Sequence, residues 1–347
     1  MFRFTAGPVS FLAVVAASFL HVCVAADGTP FNSEVFDRMV KEDRLAVVLA
    51  GLRDHDGALN NSEFNVSLTA TTTIETGTSA TRTRFRLKSI GRKYFCEVED
   101  TIAGINGGKG DYLRTSKTAW DGSVSQTWSF IQGNPHASGM ISQTEPDSSG
   151  DAVVWLFTDQ LGMRRKDHSM SVADWIEDLI KQRKLEWDVQ SFSDNQKPMV
   201  RITVGRPSRS RYEYVVDPAH QFVIKRNSIF EGVPGEDLRK IDDIMTDEIH
   251  DVNDTWIPWR ITRNTSLKGL SGKMVFGVTE CKLGKLTDAD LSFSFTPGTM
   301  VIDQTKGVAF DIQKDGSQRP LPLLNPKTGT VSGGATSKPT TRFGPKD

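Results

Sequence analysis

Three things are scarce in this sequence, and each scarcity removes a class of function. Excess charge of one sign is the first. Forty-two Lys and Arg stand against 43 Asp and Glu, a formal net charge of -1, which leaves none of the basic footprint with which a nucleic-acid binder meets phosphate. Cysteine is the second, with 3 in 347 residues and no C-x-x-C pair. Long apolar runs are the third: past residue 20 no stretch approaches the ~18 to 20 residues of a membrane helix, so no transmembrane segment is expected there.

Short catalytic signatures are missing as well. Neither H-E-x-x-H nor G-x-S-x-G occurs. Ser193-Asp194-Asn195 and Lys327-Thr328-Gly329 match two of the three signatures of penicillin-binding enzymes, but S-x-x-K, which would supply the nucleophile, is found nowhere, so chance explains the pair. His55, His136, His168, His220 and His250 are scattered rather than set at metal-ligand spacing. The glycine-rich Gly104 to Gly110 is not followed by a helix and reads as a strand connector, not a phosphate loop. Asp242, Asp243, Asp247, Glu248, Asp251 and Asp254 sit in a strand-like pattern and read as a solvated face rather than a calcium site. The expectation is no enzyme, no cofactor and no metal.

What the chain does carry begins at its N-terminus. Arg3, an apolar run from Val9 to Leu20 and the small-residue exit Val24-Ala25-Ala26 have the three-part layout of a cleaved secretory signal peptide, residues 1–26. The mature chain is therefore expected outside the cytoplasm, secreted or periplasmic. That leaves Cys96 and Cys281 as its cysteines, a candidate disulfide in an oxidising compartment or two buried thiols. From about Arg319 the composition is rich in Pro, Gly, Ser, Thr and Lys, which assigns 317–347 to a disordered tail.

The body, 31–316, reads as one domain. Phe36, Met39, Val40, Leu45, Val48, Leu49 and Leu52 recur at helical spacing behind Ser33 as cap, with Asp56-Gly57 as the stop. Alternating, threonine-rich runs follow, from "FNVSLTATTTIE" to "DAVVWLF", with Asp121-Gly122 as a hairpin turn. A second helix starts at Ser171, whose S-x-x-D spacing with Asp174 is a capping signal. Strand patterns then resume, Asp217-Pro218 marks a turn, and Pro258 marks an edge or bulged strand. The last pattern, 291 to 312, is two short strands that complete or cover the sheet's open edge. Strands in runs with two helices predict an α+β, mainly β fold: a large curved antiparallel sheet or half-barrel with the helices on its concave side.

The helix-then-meander start, "WDGS" at 120 to 123, "VVDPAHQFVIKR" and the closing "FSFTPGTMVIDQTKG" resemble the LolA-like superfamily of outer-membrane lipoprotein carrier and sorting proteins, over roughly 31 to 316. The resemblance implies a half-open barrel whose apolar hollow, covered by helices, holds an acyl chain without altering it.

On a curved sheet alternate side chains face inward. Phe85 with Leu87, Trp128 with Phe130, Val154 with Leu156, and Phe222 with Ile224 are nominated as an inner hydrophobic wall for a lipid or a lipoprotein acyl chain. Contact with a membrane surface and a monomeric state go with that reading. The alternative is a cell-envelope structural or interaction protein with the same fold and a filled core.

Overall fold

The computed structural model describes residues 31–74, 77–102, 112–145, 152–163, 170–206, 209–232, 237–267 and 270–322. The expected signal peptide, the Gly104 to Gly110 stretch, His168, Lys327-Thr328-Gly329 and most of the expected tail lie outside the described residues.

The N-terminal helical pattern is divided in two. Helix α1 is Ser33–Arg38, capped by Asn32, whose side chain accepts from the Val35 N–H; Ser33 is already inside the helix. The chain turns extended at Met39 and Val40, and α2 runs Lys41–Ala58, through Gly57 rather than stopping before it. Six strands follow: β1 Asn61–Ile74, β2 Gly77–Ile90, β3 Lys93–Ile102, β4 Tyr112–Trp120, β5 Ser125–Ile131 and β6 Ala137–Ser142. The Asp121-Gly122 turn forms as expected, with Asp121 Oδ1 accepting from the Ser123 and Val124 N–H groups and Gly122 at φ 97°.

The next element corrects the sequence reading. "DAVVWLF" is not a strand: Ala152–Gln160 forms helix α3. A short apolar run carries no periodicity that separates strand from buried helix. In the helix, Val154, Phe157 and Leu161 fall on one face and are buried together. Helix α4, Val172–Lys181, starts as its cap signal says, with Ser171 Oγ accepting from the Asp174 N–H. The Asp174 carboxylate does not reach back to the backbone; it takes Arg53 of α2 at 3.0 Å.

Strands β7 Glu186–Asp194, β8 Lys197–Arg206, β9 Ser210–Asp217, β10 Val223–Glu231, β11 Arg239–Val252, β12 Thr255–Leu267 and β13 Leu270–Leu283 return as a second meander. Pro258 is accommodated in β12 beside register shifts at Thr246 and Glu248 of β11, so that strand is bulged and interior rather than an edge. The final strands are β14 Thr299–Asp303, β15 Val308–Ile312 and β16 Gln318–Leu321. β16 lies inside the stretch that composition assigns to a tail, and residues 291 to 298, from the end of the short 3-10 turn Asp288–Leu291, form an irregular strap before the hairpin, not a strand.

All sixteen strands join in one open sheet, ordered β16-β15-β14-β6-β5-β4-β3-β2-β1-β13-β12-β11-β10-β9-β8-β7. The two meanders meet where β1 pairs with β13, and every pairing is antiparallel except β14 with β6. Among the described residues the fold is mainly β, with four α-helices, and is a half-barrel that does not close.

One face carries the helices. Toward β7–β9, α1, α2 and α4 bury Phe36, Val48, Leu52, Ile176 and Leu179 against Val189, Ile202, Val204 and Tyr214. At the centre, α3 covers β1–β3 and β11–β13. The opposite face is packed only toward the other end, where the strap lays Leu291 and Phe293 on Phe95 and Ala119, and Phe295 on Ile141 and Val301. The hairpin thus covers the β6 edge, while its strap crosses the back of the sheet and leaves the mouth of the hollow alone.

Candidate functional site

The hollow under α3 is one of two large apolar assemblies on the inner face. Register builds it: across neighbouring strands Cys281, Phe64, Leu87 and Cys96 form one row, and Val278, Val66, Phe85 and Val98 the next. Both rows are inward by the alternation of the strands. Into this floor α3 sets Phe157, fully buried, whose ring lies 5.5 Å from Phe64, 5.5 Å from Phe85 and 6.1 Å from Phe276. Edge-on contacts of this kind add to the burial itself. Leu161 and Met163 continue the contact beyond the helix.

Polar groups gather at the C-terminal end of α3. The buried Gln160 amide donates to the Ile224 carbonyl at 2.8 Å and to Thr246 Oγ1 at 2.9 Å, while Asn227 Nδ2 donates to Asp159 Oδ2 at 3.2 Å. Two strands along the same row, Arg263 grips Asp242 with Nε and a terminal nitrogen at 2.8 and 2.6 Å, and Thr265 adds a third donor. Its sequence neighbour Asp243 points the other way, to Arg226 at 2.7 Å and Ser228 at 2.6 Å on the outer face. Burial opposes the Asp243 charge, but these donors hold its carboxyl below the usual range. The acidic cluster of β11 is therefore split between two faces.

The nominated wall residues do not all meet. Phe85 and Leu87 are on the floor of the hollow, and Val154 packs onto it, from α3 rather than from a strand, with Leu156 half-buried beside it. Phe222 and Ile224 are buried in the neighbouring cluster beneath α2. Trp128 and Phe130 are on the opposite face. Trp128 pairs with Lys117 and through it with Glu97, whereas Phe85 shares its row with Val98, Ser116 and Ser129. The two rings stack on one another at 6.3 Å, Lys117 lies over Trp128, and the Trp128 indole N–H donates to Thr299 Oγ1 of β14. They anchor the added hairpin.

Cys96 and Cys281 form no disulfide. Phe64 and Leu87 stand between them in register, so Cys96 and Cys281 are three strand spacings apart, roughly 14 Å. A disulfide needs Cα atoms within about 7 Å, and the candidate bridge is excluded. Burial pushes the Cys281 thiol up to about 12, far from thiolate chemistry.

Sequence reasoning missed Phe157 and Gln160. Only a helical reading of the α3 run would have shown Val154, Phe157 and Leu161 on one face. On the outer face a cleft of about 530 Å³ opens among Asn65, Ser67, Arg84, Arg86, Glu97 and Glu99; its lining is of mixed charge, and it lies directly behind the floor of the hollow, since Val66 and Phe85 belong to both. Among the described residues no helix is long and apolar enough to cross a membrane.

Three solved structures resemble the chain. A DUF1329 family protein from Desulfovibrio piger is 10% identical, covers 72% of this chain and 98% of its own, and superposes with a TM-score of 0.43. A putative outer membrane lipoprotein-sorting protein domain from Vibrio parahaemolyticus is 9% identical over 71% of this chain and 94% of its own, at 0.40. A LolA superfamily protein from Nitrosomonas europaea is 12% identical over 71% and 97%, at 0.38. No family model matches the sequence, and no curated protein matches it. With TM-scores below 0.5, the half-barrel rests on the strand order described above.

Proposed function

We propose that the chain is a non-catalytic binding protein of the cell envelope, secreted or periplasmic, which takes a lipid or the acyl chain of a lipoprotein into the hollow that α3 now fills. The observation that carries this reading is α3 itself. It is a nine-residue helix of sequence AVVWLFTDQ, inserted between the two meanders, and it occupies an apolar floor built by strands β1–β4 and β11–β13. An apolar ligand that takes the place of Phe157 and Leu161 would bury the same floor, so the exchange asks for little net loss of buried area. Gln160, Thr246, Asn227 and Asp159 gather at one end of α3, and the floor beneath the helix is apolar.

Mass spectrometry of the protein purified from its own host under native conditions, with solvent extraction, tests the reading. Co-purified lipid, and saturable uptake of a fluorescent fatty acid at neutral pH, are the expected results. Repeated absence of both would reject it in favour of the second reading, a structural or interaction protein with a filled core. One observation favours that second reading: Val154, Phe157 and Leu161 are 2% exposed or less, as in an ordinary interior.

A further inference from the structure

The front of the added hairpin is apolar and, among the described residues, uncovered. Register aligns Met140 of β6, Ile302 of β14, Ala309 of β15 and Leu321 of β16 in one row across four strands. Met300 stands in the next row, which ends in the Asp311–Arg319 ion pair. Met300 and Ile302 are each 44% exposed. Yet the sequence of these strands is that of a layer covered on both sides. Met140-Ile141 in β6, Met300-Val301-Ile302 in β14 and Val308-Ala309-Phe310 in β15 are continuous apolar runs, whereas a strand with one wet face alternates. On the back the strap supplies the cover, and Val301 and Phe310 are buried there.

The size of the front patch selects what fits it. Three strand spacings by two residues make roughly 14 by 7 Å, on the order of 100 Å², against ~800 Å² per partner in a stable protein–protein interface. That footprint is too small for a second copy and suits a short extended segment. One such segment starts at the patch itself. β16 ends at Leu321, the last member of the row, and the sequence continues from 323 to 347, with Leu323-Leu324 directly after Pro322. Extended chain advances about 3.3 Å per residue, so Leu324, three residues past Leu321, reaches about 10 Å. β14 lies two strand spacings from β16, also about 10 Å.

We propose that Leu323 and Leu324 fold back over the front of β15 and β14 and bury Ile302 and Met300, as the strap buries Val301 on the back. The hairpin is then a layer held between two passes of its own chain, one before it and one after. Each CH₂ group taken out of water favours the docked state about fourfold, and a tether of two residues makes the docking intramolecular. While the segment is docked, the shelf is closed to other chains.

Methionine oxidation reads the patch in the full chain. Hydrogen peroxide is added under native conditions, and sulfoxide at each methionine is followed by peptide mass spectrometry. Met170, just before α4 and 40% exposed, is the reference. Met300 is expected to oxidise at least about threefold more slowly than Met170, with Met140, one strand further from the tether, slowed less. Leu323→Asp combined with Leu324→Asp should raise Met300 to the Met170 rate. Met300 as fast as Met170 in the unaltered chain, or slow in both chains, would overturn the proposal. Protection that fades on dilution would overturn it as well, because the cover is then a second copy. Should the double variant also expose the buried Met199, a chain with Ile302→Cys and Leu324→Cys decides: a disulfide between the two positions under mild oxidation supports the fold-back, and two free thiols overturn it.

Discussion

The two ends of the sheet bury opposite faces. Toward β7 the inner face is packed under α1, α2 and α4, with Val189, Ile202, Val204 and Tyr214 fully buried. Toward β16 the same face is bare: Ser116, Thr127 and Ser129 line β4 and β5, and Met140, Met300 and Ile302 are 36 to 44% exposed. There the apolar packing has moved to the back, where Phe95, Phe293, Phe295 and Val301 meet. Chain order produces the difference. Helices α1 and α2 precede β1, and α3 and α4 lie between β6 and β7, so together they cover the first-arm floor and the second arm, whereas the strap leaves β13 at the centre and crosses the back to reach the β6 edge. One sheet thus presents a filled hollow at its centre and an open shelf beside it.

The comparison breaks most visibly at Phe157. Replacing it with alanine removes a fully buried ring that three other phenylalanines surround, and should cost about 3 to 5 kcal/mol by denaturant titration. The equivalent change on the back, Phe293→Ala, removes a partly buried ring and should cost about 1 to 2 kcal/mol. Equal costs would mean that the two faces are the same kind of core.

Gly51 is a second handle on the filled end. A Cβ there would lie 2.2 Å from the Phe222 ring, closer than any relaxed contact, because α2 crosses directly over that residue. Phe222 has little room to retreat, being held at φ 60° after the Pro218–His220 turn. Gly51→Ala should therefore destabilise by about 1 to 3 kcal/mol through overpacking, even though alanine is the better helix former. A neutral or raised melting temperature would show that α2 rides higher than described.

The back of the other end has its own glycine. Gly139 of β6 lies beneath Phe295, and an added Cβ would come 2.6 Å from that ring and 3.2 Å from Val301. The clash falls on a side chain carried by an irregular strap, which can lift. Gly139→Ala is expected to cost only about 1 kcal/mol and to reveal itself as faster proteolysis within residues 291–298, with cleavage elsewhere unchanged.

How much of this was legible in the sequence depends on which level is asked. Alternation in β2 placed Phe85 and Leu87 together, and the cap at Ser171 fixed the start of α4, because both signals are local. The α3 run was misread because its six consecutive apolar residues, Ala152 to Phe157, satisfy a strand and a buried helix equally well. Trp128 and Phe130 were correctly placed on one face of β5, but alternation gives only relative faces within a strand. Which face is the inner one follows from pairing with β4 and β3, and that information is spread over strands β2 to β5. The disulfide failed for the same reason: Cys96 and Cys281 share a face and a row, but the register that separates them by three strands cannot be read from either neighbourhood.

Trp128 gives the finest test, because here the effect expected on the hollow is none. Its ring is half-buried on the back of β5, bonded to Thr299 and stacked on Phe130, so Trp128→Ala should loosen the β14 hairpin at a cost of about 1 kcal/mol. Uptake of a fluorescent fatty acid should stay at the wild-type level, since two rows of strand backbone separate the indole from the α3 floor. Phe85→Ala, on that floor, should weaken uptake and stability together. If Trp128→Ala impairs uptake as strongly as Phe85→Ala, the ligand sits on the back of the sheet, and the division of labour between the two faces is wrong.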